Sequence, residues 1–400
     1  MSTERNVPKL RFPGFTEPWE QRKVSEIGNI VTGSTPKTSI SDNYGGEFLF
    51  VSPADIQENR YVDETITTLT KKGFDQGRKI REKASLFVSI GSTIGKVAQT
   101  SQESTTNQQI NAVEPYDNFD DDFIFTSLEN ISGSIKAIAS NQAVPIVNKT
   151  TFGETEIKVP SELAEQQKIG AYFRNLDHII TLHQRKLKHV KDLKKSMLQK
   201  MFPKNGQEYP ELRFPGFTEP WEQRTFGDVG SVSMCKRIFK NETSDGGDIP
   251  FYKIGTFGGE PDAYISRELF EEYKEKYSYP DEGDILLSAS GTIGRIVEYT
   301  GEEAYFQDSN IVWLSHDKSI SNKFLKVLYP TVKWDGIEGS TIKRLYNDNF
   351  LKTQFMMPKI EEQERLGEYF EQLDNLITLH QRELEHFKLL KKGMLQQMFV

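Results

Sequence analysis

One forty-residue pattern occurs twice in this chain and constrains everything between its two copies. From Leu163 to Phe202 and from Ile360 to Phe399 similar sequence returns at an offset of 197 residues, and the string ITLHQR is identical at Ile180–Arg185 and Ile377–Arg382. Read every 3.5 residues, the first copy places Ile169, Phe173, Leu176, Ile180, His183, Leu187, Val190, Lys194, Met197 and Met201 on one stripe. The second places Leu366, Phe370, Leu373, Ile377, His380, Leu384, Phe387, Lys391, Met394 and Met398 there. An apolar stripe held at that period over more than four heptads predicts a coiled-coil seam, because a 3.5-residue repeat keeps one face on a partner helix. At 1.5 Å per residue the stripe from Ile169 to Met201 makes a rod roughly 50 Å long. Both stripes carry His and Lys at matching positions. A polar residue in a seam fixes register, so His183 and His380 are read as register devices facing each other or a neighbour. A metal or acid/base role is set aside, with no carboxylate or thiol counted at ligand spacing around either.

Two such helices must be joined by something with its own core, and 400 residues are enough for two or three domains. No apolar run approaches membrane-spanning length, and the opening MSTERNVPKL lacks a signal-peptide core. The single cysteine, Cys235, excludes an internal disulfide framework and a cysteine-rich zinc site, so a cytoplasmic protein is expected. The net charge of -8 argues against nucleic acid until it is resolved by segment: residues 165–204 carry 10 basic and 3 acidic side chains. Lys188, Lys191, Lys194, Lys195 and Lys200 either complement a helix C-terminus or form a docking surface.

In chain order, PKLRFPGFTEPWEQR at 8–22 returns as PELRFPGFTEPWEQR at 210–224. Pro and Gly interrupt any regular element there, and Phe12, Phe15 and Trp19 offer apolar anchors, which predicts an irregular segment packed against something fixed. Residues 1–160 then form an N-terminal globular domain with strands at 48–51, 84–90 and 96–99 and a helix at 123–130. The central helix follows at 161–202, capped by Ser161 with Glu162 and Glu165 in its first turn. A second globular domain spans 203–358, and the distal helix spans 359–400. GSTIGKV at 91–97 answers to SGTIGRI at 290–296, and Gln108 and Asn111 to Gln307 and Asn310, all at an offset of 199. The expected fold is therefore α+β: two globular domains joined by two long antiparallel coiled-coil helices, with a pseudo-two-fold internal repeat and chain ends that lie close together.

Two stretches come near a catalytic motif without completing one. GSTIGK at 91–96 has three residues between its glycines where a Walker loop needs four, and Val97 stands where Ser or Thr is required, so a turn between strands is the better account. Pro261, Asp262, Glu272 and Lys274 spell a PD…ExK nuclease pattern, but the sequence between them reads as a charged surface helix rather than the strand a Mg²⁺ site needs. No Asn-Pro-Pro-aromatic tetrad of a methyltransferase occurs. The chain reads as non-catalytic.

Two variable domains separated by two near-identical helices, with GSTIG and SGTIG turns, NQQINAV, and the helix openings AEQQKIGAYFRNLDHII and EEQERLGEYFEQLDNLI, resemble the specificity (HsdS) subunit of type I restriction-modification enzymes. The resemblance spans essentially the whole chain. It implies a DNA reader in which each domain is a target recognition domain for one half of a split, asymmetric site. The helices would set the spacing and dock two modification (HsdM) subunits, with restriction (HsdR) subunits as further partners. S-adenosylmethionine would belong to HsdM, ATP and Mg²⁺ to HsdR, and no cofactor or metal to this chain.

Base reading needs amides, guanidinium groups and ammonium groups on loops. In the first domain the candidates are Ser34, Thr35 and Lys37 in the Gly33–Lys37 loop, Lys71, Arg78, Lys79, Asn107, Gln108 and Gln109. In the second they are Lys236, Arg237, Lys240, Lys253, Lys274, Lys276, Gln307, Asn310, Lys343 and Arg344. The competing reading is a coiled-coil adaptor that presents two protein-binding modules without DNA. The two part on whether a complex with a methyltransferase partner modifies one split sequence.

Overall fold

The computed structural model describes residues 6–139, 146–204, 206–306, 310–337 and 343–400. It contains two compact units: Met1–Lys186 with His380–Val400, and Leu187–Leu379. Among the described residues no helix is long and apolar enough to cross a membrane.

In the first unit the central sheet has five strands in the order Gly28–Thr32, Ile110–Pro115, Ser85–Val88, Val97–Thr100 and Tyr61–Val62, antiparallel except for the last pair. Every residue of Ser85–Val88 is buried, as in a strand covered on both faces. Alternation along these strands sorts their side chains into two cores. Phe87 and Val113 point to one core with Trp19, Phe123, Phe152 and Phe173. Leu86, Val88, Ile110 and Ala112 point to the other with Val51, Ile56 and Ile80. The helix Asp121–Ala139 contributes Phe123, Ile124 and Leu128 to the first core, and a small four-stranded sheet supplies Val51 and Ile80 to the second. The second unit repeats the plan with four strands, in the order Gly230–Ser233, Ile311–His316, Ile285–Ser288 and Ile296–Glu298. There Leu287, Val312 and Leu314 face one core while Leu286, Ile311 and Trp313 face the other.

The two copies of the long pattern are single helices, Leu163–Met201 and Ile360–Met398, each of 39 residues. Within the first unit, the beginning of the first helix runs antiparallel to the end of the second: the Phe173 ring lies 5.8 Å from that of Phe399, and the His183 ring lies 5.5 Å from that of His380. Within the second unit the roles are exchanged, with Phe202 at the end of the first helix 6.4 Å from Phe370 near the start of the second. Lys391 meets Asp177 at 2.6 Å in one unit, and Lys194 meets Asp374 at 2.5 Å in the other. The two seam lysines are therefore ion-paired across the helices. Phe173, Leu176, Ile180, Val190, Phe370 and Leu373 are buried; Leu187, Ile377, Leu384 and Phe387 are half-buried beside the half-buried His183 and His380.

The proline-rich segments are anchors. Arg11 forms a bidentate pair with Glu165 in the first turn of its helix (2.6 and 2.8 Å), and Arg213 forms the same pair with Glu362 (both 2.7 Å). Trp19 and Trp221 are 1% exposed, each edge-on to two aromatic rings of its unit: Trp19 on Phe123 and Phe399, Trp221 on Phe324 and Phe202. The Leu10 N–H donates to the Gln397 carbonyl at 2.9 Å, so the two ends of the chain do meet.

Four local expectations are corrected. The cap of the first long helix is Glu162, whose carbonyl accepts from the Gln166 N–H (3.3 Å), rather than Ser161. The predicted strand at 84–90 ends at Val88, and the helix predicted over 123–130 extends over Asp121–Ala139. Asn111 and Asn310 are not equivalent. Ile110 pairs with Val88 and Ile311 with Ser288, which makes Gln109 the counterpart of Asn310; the connection before that strand is longer in the second unit.

Candidate nucleic-acid interface

The GSTIG and SGTIG turns sit at the same junction in each unit. The Ser89 N–H donates to the Gln109 carbonyl (2.8 Å) and the Val147 N–H to the Ser89 carbonyl (2.8 Å). In the second unit the Ala289 N–H donates to the Asn310 carbonyl (2.7 Å) and the Leu345 N–H to the Ala289 carbonyl (2.8 Å). Gly91 and Gly95 have φ of 97° and 91°, and Gly291 and Gly294 have 67° and 85°, values that a glycine adopts without strain. Both turns connect adjacent antiparallel strands. Their basic residues brace backbone rather than cradle a phosphate: Lys96 Nζ donates to the Ile56 carbonyl (2.9 Å), and an Arg295 guanidinium N–H to the Phe257 carbonyl (3.0 Å).

Around the first junction the structure gathers Ser34, Thr35, Arg78, Asn107, Gln108 and Gln109. The Arg78 N–H donates to Ser34 Oγ (3.2 Å) and its guanidinium to the Thr32 carbonyl (2.8 Å). Thr35 Oγ1 donates to Gln108 Oε1 (2.5 Å), and Asn107 Nδ2 to Gln109 Oε1 (3.0 Å). A Cβ at Gly33 would lie 2.1 Å from the Asn107 carbonyl oxygen, so only glycine lets the two loops approach this closely. Lys37 is exposed on the same loop. Lys71 and Lys79 form a second group, both 2.9 Å from Asp75 and lying over the stacked Phe48 and Phe74 rings; the two ammonium groups hold the Asp75 carboxyl below its usual range.

In the second unit Arg237, Asn310 and Arg344 line one cleft with Met234 and Tyr346, beside Lys343, whose carbonyl accepts from the Gly291 N–H (3.0 Å). The remaining candidates do not join them. Lys236 lies over Tyr277, Lys274 over Tyr279 and Phe270, and Lys240 is in a short 3-10 turn. Lys253 pairs with Asp262 (2.8 Å) and Lys276 with Glu272 (2.9 Å). Gln307 lies outside the described residues. The PD…ExK residues make no common site: Glu272 and Lys274 are on the exposed helix Arg267–Lys276, and Asp262 is spent on Lys253. The buried Cys235 thiol is pushed up to about 12 by desolvation, which makes it a core side chain rather than a nucleophile.

Arg60 was not singled out by the sequence: it is a buried hub donating to Gln99 (2.9 Å), Asp122 (2.7 Å) and Asp177 (3.1 Å), with its guanidinium 4.3 Å from the Phe125 ring. Nor were Tyr346, whose exposed ring borders the second cleft, and Glu383. Glu383 lies one helical turn after His380, a ligand spacing readable in the sequence as HxxE.

The family model for the type I restriction modification DNA specificity domain matches residues 16–192 and again residues 218–388. The chain is 60% identical over 156 residues to the putative type I restriction enzyme specificity subunit S.HindORF215P of Haemophilus influenzae, covering 38% of this chain and 40% of that protein. It is 29% identical over 183 residues to the HindI specificity subunit of the same organism (44% of this chain, 39% of that one). Matches thus span about two fifths of the length of these two relatives. The MjaVIII specificity subunit of Methanocaldococcus jannaschii is 21% identical over 406 residues, covering 97% of this chain and 94% of that protein. In fold, the chain is similar to the crystal structure of the type I restriction-modification system S subunit from M. genitalium, with a TM-score of 0.68 at 15% identity, covering 98% and 99% of the two chains.

Proposed function

The chain belongs to the type I restriction modification DNA specificity family, and on that premise we propose that it is the non-catalytic DNA reader of a restriction-modification assembly. Each target recognition domain contacts one half of a split, asymmetric site. The observation that carries this reading is the pair of loop junctions, built on the same backbone bonds around Ser89 and Ala289 but furnished with different side chains. Ser34, Thr35, Arg78, Asn107, Gln108 and Gln109 surround one; Arg237, Asn310 and Arg344 surround the other. One scaffold with two sets of donors and acceptors suits two different half-sites.

The helices set the gap between the half-sites. Half-sites about one helical turn apart, roughly 34 Å, lie on the same face of the duplex, and a seam of roughly 50 Å is commensurate with that separation. The helices also carry the methyltransferase subunits. Leu182 and Leu389 in the first unit, and Leu376 and Leu379 in the second, are more than 40% exposed, a cost that a partner surface removes. Two HsdM subunits dock there and bring S-adenosylmethionine; ATP and Mg²⁺ chemistry resides with HsdR subunits where these join.

Methylation by the complex of the full chain with its methyltransferase tests the proposal. One split sequence should be modified and permuted half-sites should not. A complex that modifies DNA without such a preference would leave a coiled-coil adaptor as the better reading.

A further inference from the structure

We propose that His183, His380 and Glu383 form a binding site for one divalent transition-metal ion, of which Zn²⁺ is the best fit, clamping the two long helices together in the first unit. The Nδ1 atoms of both imidazoles converge on one carboxylate oxygen: Glu383 Oε2 lies 3.1 Å from His183 Nδ1 and 3.3 Å from His380 Nδ1. The three donor atoms all lie within 4.8 Å of one another. Zinc binds imidazole nitrogen at 2.0–2.1 Å and carboxylate oxygen at 2.0–2.2 Å, so neighbouring ligand atoms of a tetrahedral site stand about 3.3 Å apart. Two edges of such a tetrahedron are already present.

The state of the donors points the same way. His183 Nδ1 is shielded from solvent and has no aligned hydrogen-bond partner, even though Glu383 is 3.1 Å away. A buried, unsatisfied nitrogen costs free energy that coordination would recover. The Phe387 ring, 5.6 Å away and nearly parallel, packs along the His183 imidazole. Two imidazoles and one carboxylate suit Zn²⁺, Co²⁺ or Ni²⁺ and are poor ligands for Mg²⁺ or Ca²⁺, which require mostly oxygen. With three protein donors the fourth position falls to water.

The internal repeat fixes the number of ions. His183 and His380 are counterparts, but the counterpart of Glu383 is Lys186. The symmetric pair of imidazoles therefore meets one carboxylate, and the chain takes a single ion.

The test uses the full-length chain freed of metal by a chelator and titrated with Co²⁺ and then Zn²⁺. The expected result is one Co²⁺ per chain with the visible d–d bands of a low-coordinate site, displacement by Zn²⁺, and a melting temperature raised by one equivalent of Zn²⁺. His183→Asn, His380→Asn and Glu383→Gln should each weaken Zn²⁺ binding by more than the roughly 10–100-fold that loss of an outer-sphere partner costs. His189→Asn, a change at an exposed histidine of the same helix, should leave it unchanged. No stoichiometric Co²⁺ spectrum and no Zn²⁺-dependent melting shift in the wild type would overturn the proposal. So would binding that survives both His183→Asn and His380→Asn. The wild-type spectrum decides the matter even if a variant folds poorly.

Discussion

Asp120 shows how a single buried carboxyl couples pH to the fold. Its Oδ1 accepts from the Phe123 N–H (2.9 Å) at the start of the helix Asp121–Ala139, its own N–H donates to Gln166 Oε1 (3.0 Å), and burial holds its carboxyl above the usual aspartate range. A carboxyl raised in the folded state contributes stability that is fully present below the unfolded value and is lost as pH rises through the folded one. Asp120→Asn keeps a capping oxygen and removes that loss. The melting temperature of the variant relative to wild type should therefore climb with pH across the acid range; a constant difference would refute the assignment. Arg237 makes the functional prediction at this scale. Its replacement by Ala should weaken DNA binding and reduce the salt dependence of affinity, and unchanged affinity at two salt concentrations would remove it from the interface. Arg78, Asn107 and Arg344 were readable as loop donors and acceptors in the sequence. Arg60 was not, because its partners at positions 99, 122 and 177 come together only through tertiary structure.

Among the elements, the long helices were the most legible, since a stripe sustained for more than four heptads leaves few other folds. Their length and antiparallel pairing followed from the repeat alone. What periodicity could not show is why each helix carries a glycine in its second turn. A Cβ on Gly170 would lie 2.3 Å from Asp120 Oδ1 and 2.7 Å from the Phe123 nitrogen, and one on Gly367 would lie 2.4 Å from the Lys323 Cβ. Both glycines are where the long helix crosses the start of a shorter one. Ala is worth about 1 kcal/mol over Gly in a helix interior, but overpacking costs about 1–3 kcal/mol. Gly170→Ala and Gly367→Ala should thus destabilise their units in denaturant unfolding. Gly393→Ala, at a helical position with nothing within 4 Å, should be neutral or stabilising by up to about 1 kcal/mol. A heptad inserted into both helices should lengthen the gap in the DNA site, and an unaltered gap in methylation mapping would contradict the ruler. The short strands were less legible. Tyr61–Val62 and Lys79–Ile80 are two residues each, too brief for alternation to register.

At the scale of the whole molecule, the first compact unit is discontinuous in sequence. Phe399 stacks on Phe123 (5.6 Å) and meets Trp19 and Phe173, Lys391 pairs with Asp177 and Glu129, and the Leu10 N–H is bonded to Gln397. A chain ending at Leu379 would lose all of these while keeping every residue of the second unit. Limited proteolysis and thermal unfolding of that truncation should show one protected unit and one degraded unit; equal protection of both would contradict the division. The repeat made this exchange of helix ends inferable, and the meeting of the termini was expected on that ground. The same arrangement reverses the order of maturation on the ribosome. The unit encoded second is contiguous and complete once Leu379 has emerged, whereas the unit encoded first keeps its aromatic socket unfilled until His380–Val400 has been synthesised. At a synthesis rate of about 5–20 residues per second that wait lasts roughly ten seconds or more. Residues 1–186 thus belong to the unit that ripens second, and a chain cut short before His380 is damaged in the unit whose larger part was made first.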